Sequence, residues 1–107
     1  MPIRDTQAVR AILERWNEQI LMELNVQGGA FTANDYLNKF MEFSREDYDN
    51  CLRSAAGNHR VFNSWFARWY LIGLEKRRVL ERVGTRRSIK SVHNNSSRNV
   101  EWRVLTV

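Results

Sequence analysis

The sequence predicts an α+β fold, with helices over about residues 6–73 and a basic two-stranded β-hairpin over about residues 77–106. Two observations predict it. Apolar residues recur at helical spacing up to Gly73, and beyond Gly73 they alternate with polar residues at the period of two that is typical of a strand. At 107 residues the chain has the length of one domain with one core, so residues 1–107 are treated as a single domain.

A long first helix is predicted over about residues 6–27. Asp5 or Thr6 can cap its start, and Gly28 and Gly29 end it. Its apolar stripe has the width of one buried face and consists of Val9, Ile12, Leu13, Trp16, Ile20, Leu21 and Leu24. We expect this face to pack on the core. The alternative is dimerisation through further apolar residues of the same helix, Met22 and Val26.

Two short helices are predicted next, over about residues 33–42 and 45–56, and each follows the same start signal. Thr32 and Ser44 can serve as N-caps, and an acid stands three residues after each, Asp35 or Asp47, where a capping-box side chain reaches back. A Phe before each cap and a Tyr after it occupy the positions of a hydrophobic staple: Phe31 with Tyr36, and Phe43 with Tyr48.

A fourth helix is predicted over about residues 58–72, after Gly57 ends the third helix and Asn58 caps the next. Its apolar face is predicted to form the core and consists of Val61, Phe62, Trp65, Phe66, Trp69 and Ile72. The opposite face is polar and carries Arg60, Asn63, Ser64 and Ala67, with Arg68 at its edge. The residues after this helix predict the hairpin: Val79–Val83 and Ile89–Val92 alternate, His93–Asn99 forms a polar loop, and Val100–Thr106 alternates again.

The charge of the chain is unevenly distributed. The net charge is +5, but residues 1–75 hold eight cations and ten acids, whereas residues 76–107 hold nine cations and two acids. This basic tail favours a polyanionic partner. Nucleic acid is preferred to a membrane because the tail has no basic amphipathic helix, and a merely solvated basic surface is the alternative.

Other classes of function have little support in the residue inventory. The single cysteine, Cys51, excludes an internal disulfide, and with only His59 and His93 it makes no zinc pattern. Of the carboxylates that could hold Mg²⁺, Asp35, Asp47 and Asp49, the first two are already explained by their capping positions. No nucleophile, base and orienting group can be assembled. We therefore expect a non-enzymatic protein without metal or cofactor. No apolar stretch reaches the length of a membrane span and the first residues do not form a signal peptide, so a cytoplasmic protein is expected.

Four stretches resemble the winged helix-turn-helix DNA-binding superfamily: Phe31–Leu37, Trp65–Leu74, Val79–Gly84 and Val100–Leu105. The likeness is one of architecture, a series of helices followed by a basic hairpin. One departure is the helix at 45–56, which stands between the second helix and the presumed recognition helix. Either helix 45–56 or helix 58–72 is then a candidate for reading DNA, and the carboxylates of the former favour the latter.

The resemblance implies binding of double-stranded DNA by a small transcriptional or phage regulatory protein. Helix 58–72 would enter the major groove with Arg60, Asn63, Ser64, Ala67 and Arg68. The wing would place Arg86, Arg87, Lys90 and Arg98 on phosphates or in the adjacent minor groove. A palindromic site would require a homodimer, for which the first helix is the candidate interface. Two alternatives stay open: a module that inhibits or recruits a host protein through aromatics such as Tyr70 or Trp16, and RNA binding through the basic tail.

Overall fold

The computed structural model describes residues 3–27, 29–87 and 98–105, which form an α+β domain of four helices and a three-stranded antiparallel sheet. The fourth helix is continuous from His59 to Lys76, with a π-helical segment over Phe66–Tyr70 between two α-helical parts, His59–Trp65 and Leu71–Lys76. In chain order the elements are α1 (Thr6–Gln27), β1 (Ala30–Phe31), α2 (Ala33–Phe43), α3 (Arg45–Arg53), α4 (His59–Lys76), β2 (Leu80–Arg87) and β3 (Arg98–Val104).

The start of α2 is a capping box, as its sequence predicts. Thr32 Oγ1 accepts a hydrogen bond from the backbone N–H of Asp35 at 3.3 Å, and Asp35 Oδ2 accepts one from the backbone N–H of Thr32 at 3.0 Å. The rings of Phe31 and Tyr36 lie 6.3 Å apart, in keeping with the predicted staple. These bonds satisfy two of the N–H groups that a helix start leaves without partners.

The start of α3 matches the prediction only in its cap. Ser44 Oγ accepts a hydrogen bond from the Asp47 backbone N–H at 3.1 Å. The Asp47 carboxylate, however, accepts from the Trp16 indole N–H at 2.6 Å, and the Ser44 N–H already donates to the Phe40 carbonyl at 2.9 Å. The reciprocal capping bond predicted for Asp47 is therefore wrong, because α1 supplies a donor that the sequence near the cap does not show.

A turn through Gly57 joins the C-terminal end of α3 to the start of α4. Helix α3 ends at Arg53, earlier than the predicted boundary near residue 56, and Gly57 adopts φ +75° in the turn that follows. A positive φ strains residues that carry a Cβ, so glycine suits this position. Asn58 then caps α4 as predicted, with Oδ1 accepting from the Val61 N–H at 3.0 Å.

The buried face of α4 differs from the prediction at Trp69, which is 58% exposed. The inward side chains are Phe62, Phe66, Tyr70, Leu71 and Leu74. A π-helical turn closes i→i+5 hydrogen bonds and so holds more residues than an α-helical turn. The segment at Phe66–Tyr70 therefore rotates the following residues relative to an unbroken α-helix, and the assumed helical period placed Trp69 on the wrong face.

The two predicted hairpin strands are present as the antiparallel pair β2 and β3, but the sheet has a third strand that the prediction lacked, and its order is β1-β3-β2. The added strand is only Ala30–Phe31, too short to show a period of two, and it pairs with β3 through Phe31 opposite Trp102. Strands β2 and β3 pair from Leu80 opposite Val104 to Arg87 opposite Arg98, with a bulge between Arg82 and Gly84. The predicted strand at Ile89–Val92 and most of the predicted loop lie outside the described residues.

The core lies where the four helices meet the sheet. Its largest buried side chains are aromatic: Phe31, Tyr36, Phe40, Tyr48, Phe62, Phe66 and Tyr70. Each such side chain contributes about 1.5–3 kcal/mol by leaving water. Within the described ranges, none of the helices has both the length and the apolar character needed to cross a membrane.

Candidate nucleic-acid interface

An exposed ridge runs along α4 and consists of Arg60, Ser64 and Arg68, which follow one another at intervals of four residues. Residues at this spacing share one side of a helix. In the part of the chain that the structure describes, neither Arg60 nor Arg68 forms an ion pair, whereas other arginines of the helical region do. The ridge therefore presents two uncompensated positive charges to solvent.

On one side of the ridge lies a groove of about 390 Å³, here called the aromatic groove. Its walls are the ridge residues together with Ile3, Val61, Trp65 and Trp69. The guanidinium of Arg10 on α1 lies 5.3 Å from the centre of the Trp65 ring, a cation–π contact that brings a further positive charge close to the groove. This side of α4 thus combines aromatic faces with cations.

On the other side of the ridge lies a second concavity, the helix–sheet cleft, between α4 and strands β2 and β3. Its sheet side includes Arg82, whose guanidinium lies 5.3 Å from the centre of the Trp102 ring and pairs with Glu75 at 3.0 Å. The cleft brings the outer face of α4 beside the hairpin. Its lining is Ala33, Asn63, Ser64, Ala67, Arg68, Ile72, Arg82, Asn99, Val100 and Trp102.

The five α4 residues predicted from sequence are thus brought together, but one of them is not on the surface. Asn63 is only 9% exposed, and its Nδ2 donates a hydrogen bond of 2.6 Å to Oδ1 of the buried Asn34 on α2. The prediction that Asn63 belongs to a solvent-facing polar face is therefore wrong. The packing of α2 against α4 turns this amide inward, and the hydrogen bond to Asn34 uses one of the N–H groups with which Asn63 could contact a base.

Of the four predicted wing residues, the structure describes the side chain of Arg86 alone. Arg86 forms ion pairs with Asp35 of α2 and, at 3.4 Å, with Glu101 of β3, so its charge is compensated in the folded protein. Arg87 and Arg98 stand opposite each other where the two strands leave the described region, and their side chains lie outside it. Lys90 also lies outside the described residues.

Several cations of the basic tail form ion pairs in the folded protein. Arg77 pairs with Glu14 at 3.3 Å, Arg82 with Glu75 at 3.0 Å and Arg103 with Glu81 at 3.8 Å. The Arg77 pair joins residues 63 positions apart, whereas the Arg82 pair is local and the Arg103 pair lies within the hairpin. Counting charges along the chain therefore does not show which cations are compensated in the folded protein.

Sequence reasoning also missed the exposure of Trp69. Trp65 and Trp69 were both predicted to be core residues. Trp65 is half-buried and packs against the core, whereas Trp69 is exposed. The prediction assumed an unbroken α-helical period, from which the π-helical segment at Phe66–Tyr70 departs.

The described residues offer little for covalent or metal chemistry. No three His, Cys, Asp or Glu side chains within the described ranges lie close enough together to hold a metal ion. Burial raises the pKa of the Cys51 thiol to about 12, so the thiol is neutral at physiological pH and a weak nucleophile. The exposed ridge and its two flanking concavities therefore form the candidate ligand-binding site.

Comparison with protein-family models, with curated proteins and with solved structures finds no match.

Proposed function

We propose that this protein binds double-stranded DNA without catalysing a reaction, as a small regulatory protein of the winged helix-turn-helix type. The observation that carries the proposal is the pair of uncompensated arginines, Arg60 and Arg68, on one exposed line of α4. Phosphate groups are the obvious partners of exposed guanidinium groups that no protein acid neutralises, and phosphate contacts provide most of the affinity of a DNA-binding protein.

The dimensions of α4 suit the major groove. A helix with its side chains is about 10–12 Å wide, and the major groove of B-DNA is about 12 Å wide. Arg60 and Arg68 are separated by about 12 Å along the helix axis, which corresponds to about three to four base pairs. Between the two arginines, Ser64 can bond several bases and Ala67 can contact a thymine methyl group.

The neighbouring helix α3 is a poorer candidate for DNA contact. Its Arg45 pairs with Asp49 at 3.1 Å, and its Arg53 donates to Asn50 at 2.5 Å. Its first turn also carries Glu46, whose charge would repel phosphate. These features support α4 as the recognition helix and α3 as part of the scaffold.

The hairpin supports the proposal through its position. The helix–sheet cleft places Arg82 and Asn99 beside Ser64 and Arg68, so a ligand on the ridge lies next to strands β2 and β3. In a winged-helix arrangement the hairpin would follow the phosphates next to the occupied groove. Of the wing residues predicted from sequence, Arg87, Lys90 and Arg98 keep this assignment as a proposal, whereas Arg86 would first have to leave its two acids.

The proposal is tested by the salt dependence of binding to a labelled duplex, measured by fluorescence anisotropy. Each phosphate contact contributes about −0.9 to the slope of log K against log salt, so R60A/R68A should reduce the magnitude of the slope by about 1.8. The matched control is R45A/R53A on α3, which removes the same charge from an exposed surface outside the ridge.

The control should change the slope far less than the ridge variant. An absence of duplex binding at low salt, or equal slopes for wild type and R60A/R68A, would contradict the proposal. Binding of structured RNA in preference to duplex DNA would instead support an RNA-binding protein.

The protein-binding alternative relied on two aromatic residues that are less exposed than it requires. Tyr70 is 2% exposed, and Trp16 is half-buried, with its ring stacked on Phe43 at 6.2 Å. Neither residue offers the free aromatic surface that an interaction hot spot requires.

A further inference from the structure

Trp69 is the most exposed aromatic residue in the described part of the chain, at 58% of its surface. Its neighbours in sequence behave differently, since Tyr70 and Leu71 are buried. The residue lies in the π-helical segment Phe66–Tyr70, a kind of distortion that often occurs at functional sites. The fold therefore holds a large aromatic side chain in solvent at a fixed position on a rigid helix.

The surroundings of Trp69 indicate the chemistry of a ligand. The indole shares the aromatic groove with Arg60 and Arg68, which have no acidic partner among the described residues, and with Ser64. Aromatic rings bind the faces of nucleobases, and guanidinium groups bind the phosphates between them. A ligand that satisfies both features carries a flat, accessible ring together with negative charge on either side.

A base within a continuous duplex does not present its face, because its neighbours cover it. Enzymes and binding proteins that stack on a base use single strands, or take the base out of the duplex at an energetic cost that is smallest where the base is already unpaired. The presence of Trp69 beside the proposed recognition residues therefore indicates a base that lies outside the stack.

We propose that the aromatic groove binds one unpaired nucleobase of a DNA duplex, with Trp69 stacked on the base and Arg60 and Arg68 on the flanking phosphates. This inference rests on the proposed function and adds to it a preference among DNA substrates. The preferred ligand is a duplex with a bulged or otherwise unpaired base, and a continuous duplex binds more weakly.

The experiment compares two ligands, a continuous duplex and the same duplex with one unpaired thymine, in binding to wild type, W69A and W69F. Wild type should prefer the bulged duplex. W69A should bind the bulged duplex about 5- to 150-fold more weakly than the wild type does, which is the loss that typical base-stacking energies imply. W69F keeps an aromatic face and should retain most of the preference.

The matched control is L105A, which shortens another exposed apolar side chain, 49% exposed, outside the aromatic groove. It should leave both affinities unchanged. Circular dichroism checks that W69A is folded, as expected for a largely exposed position.

The two proposals fail in distinguishable ways. Equal binding of the two duplexes by wild type, or an unchanged preference in W69A, overturns the stacking inference and leaves duplex binding intact. Failure of wild type to bind either duplex overturns both.

Discussion

Replacing Asn63 by alanine separates a structural role of this residue from a base-reading role. The Asn63 Nδ2 group donates to Asn34 Oδ1 at 2.6 Å between two side chains that are 9% and 7% exposed. The variant N63A removes the donor and leaves the Asn34 carbonyl buried with fewer partners. We therefore expect N63A to lower the stability of the domain and to leave the phosphate contacts of the ridge in place.

The expected magnitude follows from the burial of this hydrogen bond. Leaving a buried polar group unsatisfied costs about 1–3 kcal/mol. In a domain of this size, 1 kcal/mol changes Tm by about 4 °C, so N63A should lower Tm by about 4–12 °C.

The assay is a double-mutant cycle of N63A and N34A, followed by thermal and urea unfolding. If the two amides interact as the structure shows, the double variant should be less destabilised than the sum of the single variants, by about 0.5–3 kcal/mol. Duplex binding, measured well below the Tm of every variant, should keep the wild-type salt slope.

Two results would refute this reasoning. Additive effects of N63A and N34A would show that the amides do not interact. An unchanged Tm together with a large loss of duplex affinity would return Asn63 to the role of a base-contacting residue.

Three further predictions concern other parts of the fold. D47A removes the acceptor of the Trp16 indole and should cost about 1–3 kcal/mol, visible in urea unfolding and as a shift of tryptophan emission; an unchanged midpoint would contradict the 2.6 Å contact. G57A and G73A should change the free energy of unfolding in opposite directions. Alanine at Gly57, where φ is +75°, should lower it by about 1–2 kcal/mol. Alanine at Gly73 within α4, where a Cβ meets no atom within 4 Å, should raise it by about 1 kcal/mol. The folded state holds the Cys51 proton more tightly than the unfolded chain, since the pKa rises from 9.0 to about 12. The contribution of this thiol to the free energy of unfolding is therefore fully present below pH 9 and decreases as the pH rises above 9. Between neutral and alkaline pH, C51A should lose less unfolding free energy than the wild type does.

Dimerisation through α1 stays a prediction, and the two apolar residues proposed for it are on the surface. Val26 is 83% exposed and Met22 48% exposed on α1. Light scattering should show a dimer that V26E disrupts if this surface is the interface, and a monomeric wild type would exclude it at the concentrations measured.

The amino-acid sequence by itself determined the features that depend on neighbouring residues. The bounds of α1, the capping box of Thr32 with Asp35, and the Asn58 cap of α4 were all predicted, because their atoms lie within one turn of each other along the chain. The α+β class followed in the same way from the change of apolar period after Gly73.

Tertiary structure alone decided the features that join distant segments. Strand β1 exists because Phe31 pairs with Trp102, Arg86 is neutralised by Asp35, and Asn63 turns inward to Asn34. Local periodicity carries no information about such partners, since each pair lies about 30 or more residues apart and forms only when the helices pack on the sheet. The aromatic groove also joins distant segments, since Ile3 lines it together with Arg60, Arg68 and the exposed Trp69 of α4.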